Sequence, residues 1–127
     1  MTCLAALCLI GALATDGDTL RVARPGPDLR IRLWGIDAPE MHDPAGPPAK
    51  AAMAALIAGR VLACDDRGPD RYGRTVARCS LPGGRDLACA MVAAGQARDW
   101  PKYSRGAYAA CAAARPPARP GPGRTAP

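Results

Sequence analysis

Between Leu29 and Ile36 the chain alternates with a period of two. Leu29, Ile31 and Leu33 fall on one side, Arg30, Arg32 and Trp34 on the other, as in a strand with one buried face. Thr19-Leu20-Arg21-Val22 reads as a shorter strand, entered through the tight Asp16-Gly17-Asp18 turn and ended by Pro25-Gly26-Pro27. Upstream, the apolar run TCLAALCLIGALA (2–14) predicts a first strand over roughly residues 7–14. After Pro47-Pro48 the period changes. Met53, Leu56 and Ile57 lie at helical spacing, so a helix is expected through Ala58 with Gly59 as its stop. Residues 60–65 and 73–79 give a fourth and a fifth strand around a polar turn. Asp86 is placed to cap a short helix closing at Gly95, and Ser104 to cap a last one that Pro116-Pro117 must end.

This order, three strands, a helix, two strands and then helices, fits an α+β fold: a five-stranded Greek-key β-barrel with about three packed α-helices. Periodicity alone leaves other α+β arrangements open. A chain of 127 residues suits one domain, expected at 8–115. Residues 116–127 hold five prolines, two glycines and two arginines and read as a disordered Pro/Arg tail. Residues 1–7 form an apolar segment compatible with a remnant signal peptide. Ala12-Leu13-Ala14 resembles a signal-peptidase site, but no basic n-region precedes it and the run is too short to span a bilayer. Cleavage there would also remove the first strand.

Composition sharpens this picture in three ways. Phe is absent and only five aromatics occur, so the core must be built from aliphatics and alanine, and each exposed ring becomes a candidate for stacking on a base. The net charge of +6 is uneven: from Gly95 onward there are six basic residues and one acidic, before it eleven and ten. Such a surface attracts a polyanion, although a solvated basic tail would give the same count. Six cysteines suggest disulfides and an oxidising compartment, hence a secreted or periplasmic protein. With His42 the lone histidine and no zinc-type cysteine spacing, zinc is not expected.

Three short segments carry candidate chemistry. Asp16-Gly17-Asp18-Thr19 is an ordinary hairpin turn on its face. Ile31 to Glu40 is a strand ending in two carboxylates, Asp37 and Glu40, with Arg32 upstream on the same strand. That grouping suits a phosphate with a divalent cation, but also a solvated acidic loop. Asp70-Arg71-Tyr72-Gly73-Arg74 is a hairpin tip that offers a guanidinium to a phosphate and a ring to a base.

Taken in order, with a helix between the second and third, these segments resemble the staphylococcal nuclease (thermonuclease-like) family. Its pattern is a DGDT turn, an R-L-x-G-x-D-x-P-E strand end and a D-R/K-Y-G-R hairpin. The resemblance covers roughly residues 8–114 and implies an OB-fold. It also implies a metal-dependent endonuclease that hydrolyses phosphodiester bonds of DNA and/or RNA. By matching position, Asp18, Asp37 and the Ala38 carbonyl would hold Ca²⁺ (or Mg²⁺), and Glu40 would accept a hydrogen bond from the attacking water. Arg32 and Arg74 would grip the scissile phosphate, and Tyr72 would line the nucleotide pocket. A catalytically inactive OB-fold module that only binds nucleic acid is the alternative, against which the intact carboxylates and arginines argue. The expected partner is nucleic acid, with no membrane span and a monomeric chain.

The sequence departs from the pattern in places. The loop Met41 to Gly46 is short and lacks lysine, and Pro116-Pro117 stand where a tryptophan usually follows the last helix. The Asp99 to Ser104 stretch resembles secreted bacterial members, with Trp100 and Tyr103 either bordering the cleft or packing in the core. Cys64 and Cys79, at the outer ends of the fourth and fifth strands, are expected to form a disulfide. Cys89 and Cys111 are a second candidate pair.

Overall fold

The structure is a computed structural model and describes residues 3, 5 and 7–113. The expected tail at 116–127 lies outside the described residues, as does part of the segment 1–7. The strands are β1 (Leu7–Leu9), β2 (Leu13–Ala14), β3 (Thr19–Val22), β4 (Leu29–Leu33), β5 (Ile36–Asp37), β6 (Leu62–Pro69), β7 (Thr75–Ser80) and β8 (Arg98–Asp99). The helices are α1 (Gly46–Ile57), α2 (Leu87–Ala93), α3 (Pro101–Ser104) and α4 (Ala109–Ala113).

The main sheet runs β1-β6-β7-β4-β3-β2. Its two edge strands, β1 and β2, are the halves of the expected first strand, parted at Gly11, whose φ of +71° suits glycine alone among ordinary residues. One half pairs antiparallel with β6 and the other with β3, so a single bent strand ties both edges together. Counted that way the sheet is the expected five-stranded barrel, with β4 and β7 as its parallel pair. This is an OB-fold of the α+β class.

Two further boundaries differ from expectation. The strand Leu29 to Ile36 is broken into β4 and β5 at Gly35, where φ is +81°. A Cβ there would stand 2.8 Å from the Tyr108 ring. Strand β6 continues through the expected turn to Pro69, with a register shift between Asp66 and Pro69.

The aliphatic core is as composition demands. Leu20, Ile31, Leu33, Leu62 and Leu87 are buried, with Met53 and Ile57 of α1 closing one side. Half-buried Leu56 packs against this core from its edge. Gly59 stops α1 with φ +68°. Asp86 caps α2 by accepting from the Cys89 amide at 2.9 Å. Ser104 is not the N-cap of the last helix. It ends α3, donating to Asp99 at 2.5 Å and accepting from the Gly106 amide, and Arg105 and Gly106, both at positive φ, separate it from α4. No helix among the described residues is long and apolar enough to cross a membrane.

Tyr108 is the largest fully buried side chain. Its hydroxyl donates to Asp86 at 3.1 Å and its ring meets Trp34 edge-on. Three disulfides brace the molecule: the expected Cys64–Cys79 and Cys89–Cys111, and also Cys3–Cys8. Cys64 and Cys79 stand directly opposite in the β6–β7 ladder.

Two stability predictions follow from these contacts. The paired variant Cys64→Ala/Cys79→Ala frees a loop with a sequence separation of 15 residues, and denaturant unfolding should show a loss of about 3 kcal/mol. Burial, and after it the Asp86 carboxylate, push the Tyr108 hydroxyl up to about 12. Because the folded value exceeds the unfolded one of about 10, its contribution is complete below pH 10 and lost as pH rises towards 12. Absorbance titration should find a tyrosine ionising well above pH 10 that Tyr108→Phe removes.

Candidate active site

The site begins with the turn before β3. Asp16 folds it by accepting from the Asp18 amide at 3.0 Å, while the amides of Thr15 and Asp16 both donate to the Thr19 carbonyl. The turn lies flat against the start of the next loop because residue 17 is glycine. A Cβ there would stand 2.7 Å from the Ala38 Cβ and 2.9 Å from the Ala49 Cβ.

This close approach buries Asp18, whose residue surface is only 7% exposed. Its Oδ2 accepts from the Ala38 amide at 2.8 Å and lies 3.3 Å from the Arg32 guanidinium. Its Oδ1 accepts from the Thr19 hydroxyl at 3.2 Å. Burial raises the carboxyl to about 6, against the opposing pull of Arg32 and the Ala38 amide. Arg32 in turn donates through Nη1 to the carbonyls of Leu33 and Ile36. The register that sets Thr19 opposite Arg32 fixes both charges to the same end of the barrel.

Gly35 turns the chain out of β4 so that Asp37 and Glu40 follow on β5 and the loop beyond. Asp37 is paired with Arg98 of β8 at 3.0 Å. The Glu40 side chain is exposed and makes no hydrogen bond among the described residues. On the opposite wall the β6–β7 tip is organised by Asp70. It accepts from the amides of Tyr72 and Arg74 at 2.8 and 2.9 Å, and from Arg74 Nε at 2.6 Å. Burial opposes ionisation of Asp70, but these bonds and the Arg74 charge outweigh it and hold the carboxyl below its ordinary value. The terminal nitrogens of Arg74 make no hydrogen bond among the described residues, and the guanidinium lies 5.3 Å from the Tyr72 ring.

A cleft of 680 Å³ opens between these walls, lined by Asp18, Arg32, Asp37, Glu40 and Arg74 together. Tyr72 also lines it, 57% exposed. Trp100 and Tyr103 stand at its rim with Lys102, so the bordering position, not core packing, is the one they take. Ala38 is not part of this lining. It faces a smaller neighbouring cavity of 330 Å³, which Asp37 shares. Reasoning from sequence missed Arg98 and Asp70. Arg98 is 61 residues from its partner, a distance no local pattern bridges. Asp70 was within the quoted hairpin motif, four residues before Arg74, and that spacing was the available signal.

Comparison with known sequences identifies the family. The sequence model described as "Staphylococcal nuclease homologue" matches residues 30–119. The chain belongs to the staphylococcal nuclease family. Among relatives in that family, an "Uncharacterized endonuclease" of Escherichia coli O157:H7 is 36% identical over 89 residues, 70% of this chain and 58% of that protein. The "Micrococcal nuclease" of Shigella flexneri is 33% identical over 98 residues, 71% of this chain and 56% of its own. The "Thermonuclease" of Staphylococcus intermedius is 41% identical over 70 residues, 49% and 42% of the two chains. This chain thus spans about half the length of these family members.

The closeness of Gly17 to Ala38 gives a test of how the site is held. Gly17→Ala should destabilise the protein by about 1–3 kcal/mol through overpacking. In amide NMR spectra the shifts should concentrate at Asp18, Ala38 and Ala49, not spread over the barrel.

Proposed function

We propose that this chain is a divalent-metal-dependent endonuclease acting on phosphodiester bonds of DNA and/or RNA. What supports this is the gathering of Asp18, Arg32, Asp37, Glu40 and Arg74, from three separate segments, on one cleft. A nucleic-acid-binding barrel without catalysis would need the basic and aromatic rim alone. The three carboxylates Asp18, Asp37 and Glu40 on the same cleft favour the enzyme.

The donor chemistry fits a hard cation. Asp18 and Asp37 offer carboxylate oxygens, and the Ala38 carbonyl is the third ligand carried by the family resemblance. No cluster of three acidic, cysteine or histidine side chains capable of holding a metal occurs among the described residues, so water must complete the shell. That arrangement suits Ca²⁺, or Mg²⁺ with an octahedral set of waters. When bound, the cation supplies positive charge beside the phosphate. The remaining work belongs to the side chains. Arg32, fixed by two carbonyls, and Arg74, whose terminal nitrogens have no partner among the described residues, offset charge that builds on the phosphoryl oxygens during in-line attack. The exposed Glu40 carboxylate accepts a hydrogen bond from the attacking water and orients it. Tyr72 and the Trp100–Tyr103 pair, whose ring centroids are 4.5 Å apart, offer faces to the flanking bases. Three disulfides support assignment to an oxidising compartment, outside the cytoplasm. The chain is read as a monomer.

Arg74→Ala should lower the cleavage rate by ~10²-fold or more and leave the thermal melt in place, since the tip stands outside the core. A chelator should abolish cleavage by the parent. Cleavage that persists at full rate in the chelator would overturn the metal-dependent reading. Strand binding without cleavage when Ca²⁺ or Mg²⁺ is supplied would favour the binding module.

A further inference from the structure

On the outer face of the sheet the cleft does not end at Arg32. Trp34, just beyond the end of β4, lines the cleft and also carries two further cations. The guanidinium of Arg67, from β6, lies 4.8 Å from its ring centroid, and that of Arg78, from β7, lies 5.0 Å away. Both side chains are more than a third exposed. Among the described residues each is paired with one carboxylate: Asp65 on Arg67 Nε at 3.2 Å and Asp86 on Arg78 at 3.5 Å. These contacts engage one nitrogen of each guanidinium. A guanidinium held against a ring keeps N–H groups that the ring does not engage, and these can meet phosphate oxygens.

We propose that this face is an extended polynucleotide track. Arg67 and Arg78, braced on Trp34, take backbone phosphates of nucleotides beyond the one held in the cleft. The track rests on reading the cleft as a phosphodiester site, and it names what that site prefers: a strand several nucleotides long over a dinucleotide. Two observations select a polyanion as occupant. The face is continuous with the cleft through Trp34, and it gathers two guanidinium groups on one ring. Asp65 and Asp86 do not cancel this. Asp65 is 72% exposed and its pair is correspondingly weak, and Asp86 is shared with the Tyr108 hydroxyl and the α2 cap.

The test uses the full chain with chelator present, so that the strand stays intact, and fluorescence-labelled single strands of two and of about 20 nucleotides. Arg67→Gln is the variant of choice, because Arg78 also supports Tyr108 and its loss would disturb the core. Arg67→Gln should weaken binding of the longer strand by roughly threefold to tenfold and lower its log–log salt slope by ~0.7, while leaving the dinucleotide unchanged. Arg67→Lys should restore the slope, since it keeps the charge. Equal affinity and slope for parent and Arg67→Gln on the longer strand would overturn the track, and so would equal weakening on both lengths. A parent that binds the longer strand in this Arg67-dependent way but cleaves nothing when Ca²⁺ or Mg²⁺ is supplied would uphold the track and defeat the nuclease reading.

Discussion

A carboxylate cannot be taken almost wholly out of water unless donors replace the water it loses. Asp18 meets that condition with groups from three places: the Thr19 hydroxyl beside it, the Ala38 amide twenty residues on, and the Arg32 guanidinium across the β3–β4 ladder. Each is positioned by something else. The ladder register sets Arg32, the absence of a side chain at Gly17 lets the turn reach Ala38, and the break at Gly35 swings Ala38 into place. Burial nevertheless keeps the Asp18 carboxyl raised, at about 6, against the pull of Arg32 and the Ala38 amide. On the reading proposed above, a cation beside it would add the positive charge that favours its ionised form.

The barrel exists to hold this arrangement at one end. Its closure by a single bent strand leaves β6 and β7 free to project their tip beyond the sheet, and the cross-strand Cys64–Cys79 bond lies towards the base of that projection. The tip is then fixed locally, because Asp70 gathers two amides and a guanidinium around one carboxylate. On the far wall, β5 pairs with β8, and Trp100 donates its amide to the Gly35 carbonyl at 2.9 Å. The aromatic rim is therefore tied to the same glycine that aims Asp37.

What could be read from the sequence follows from the range of the forces involved. The period-two pattern of Leu29 to Leu33, the Asp86 cap and the Gly59 stop are local and were legible. So was the gathering of the five cleft residues, through the family resemblance that three short motifs in order carry. Ser104 was misjudged because a serine ahead of an alanine-rich run is a good cap in isolation. Here Asp99 captures its hydroxyl, and Arg105 and Gly106 turn the chain before α4 begins. The continuation of β6 through Arg67-Gly68-Pro69 was hidden by residues that favour turns, and pairing with β7 overrides that preference. Arg98 on Asp37 and the clustering of Arg67 and Arg78 around Trp34 depend on strands distant in sequence, and no periodicity reports them.

The two cleft arginines illustrate how one side-chain type can do unlike work. Arg32 is committed: both hydrogens of Nη1 go to carbonyls and Nη2 faces Asp18, so little reorganisation is left to it. Arg74 has one nitrogen anchored at 2.6 Å, and its terminal nitrogens make no hydrogen bond among the described residues. Charge held in place in advance counts for most where negative charge develops, because no reorganisation is left to be done as the bond breaks. Both guanidinium groups meet that condition, Arg32 through two carbonyls and Arg74 through Asp70. On the reading proposed above, Arg32 spends most of its donors on the protein and sets the charge of the wall, whereas Arg74 keeps its outer donors for the phosphate. That difference follows from the hydrogen-bond partners each guanidinium already has.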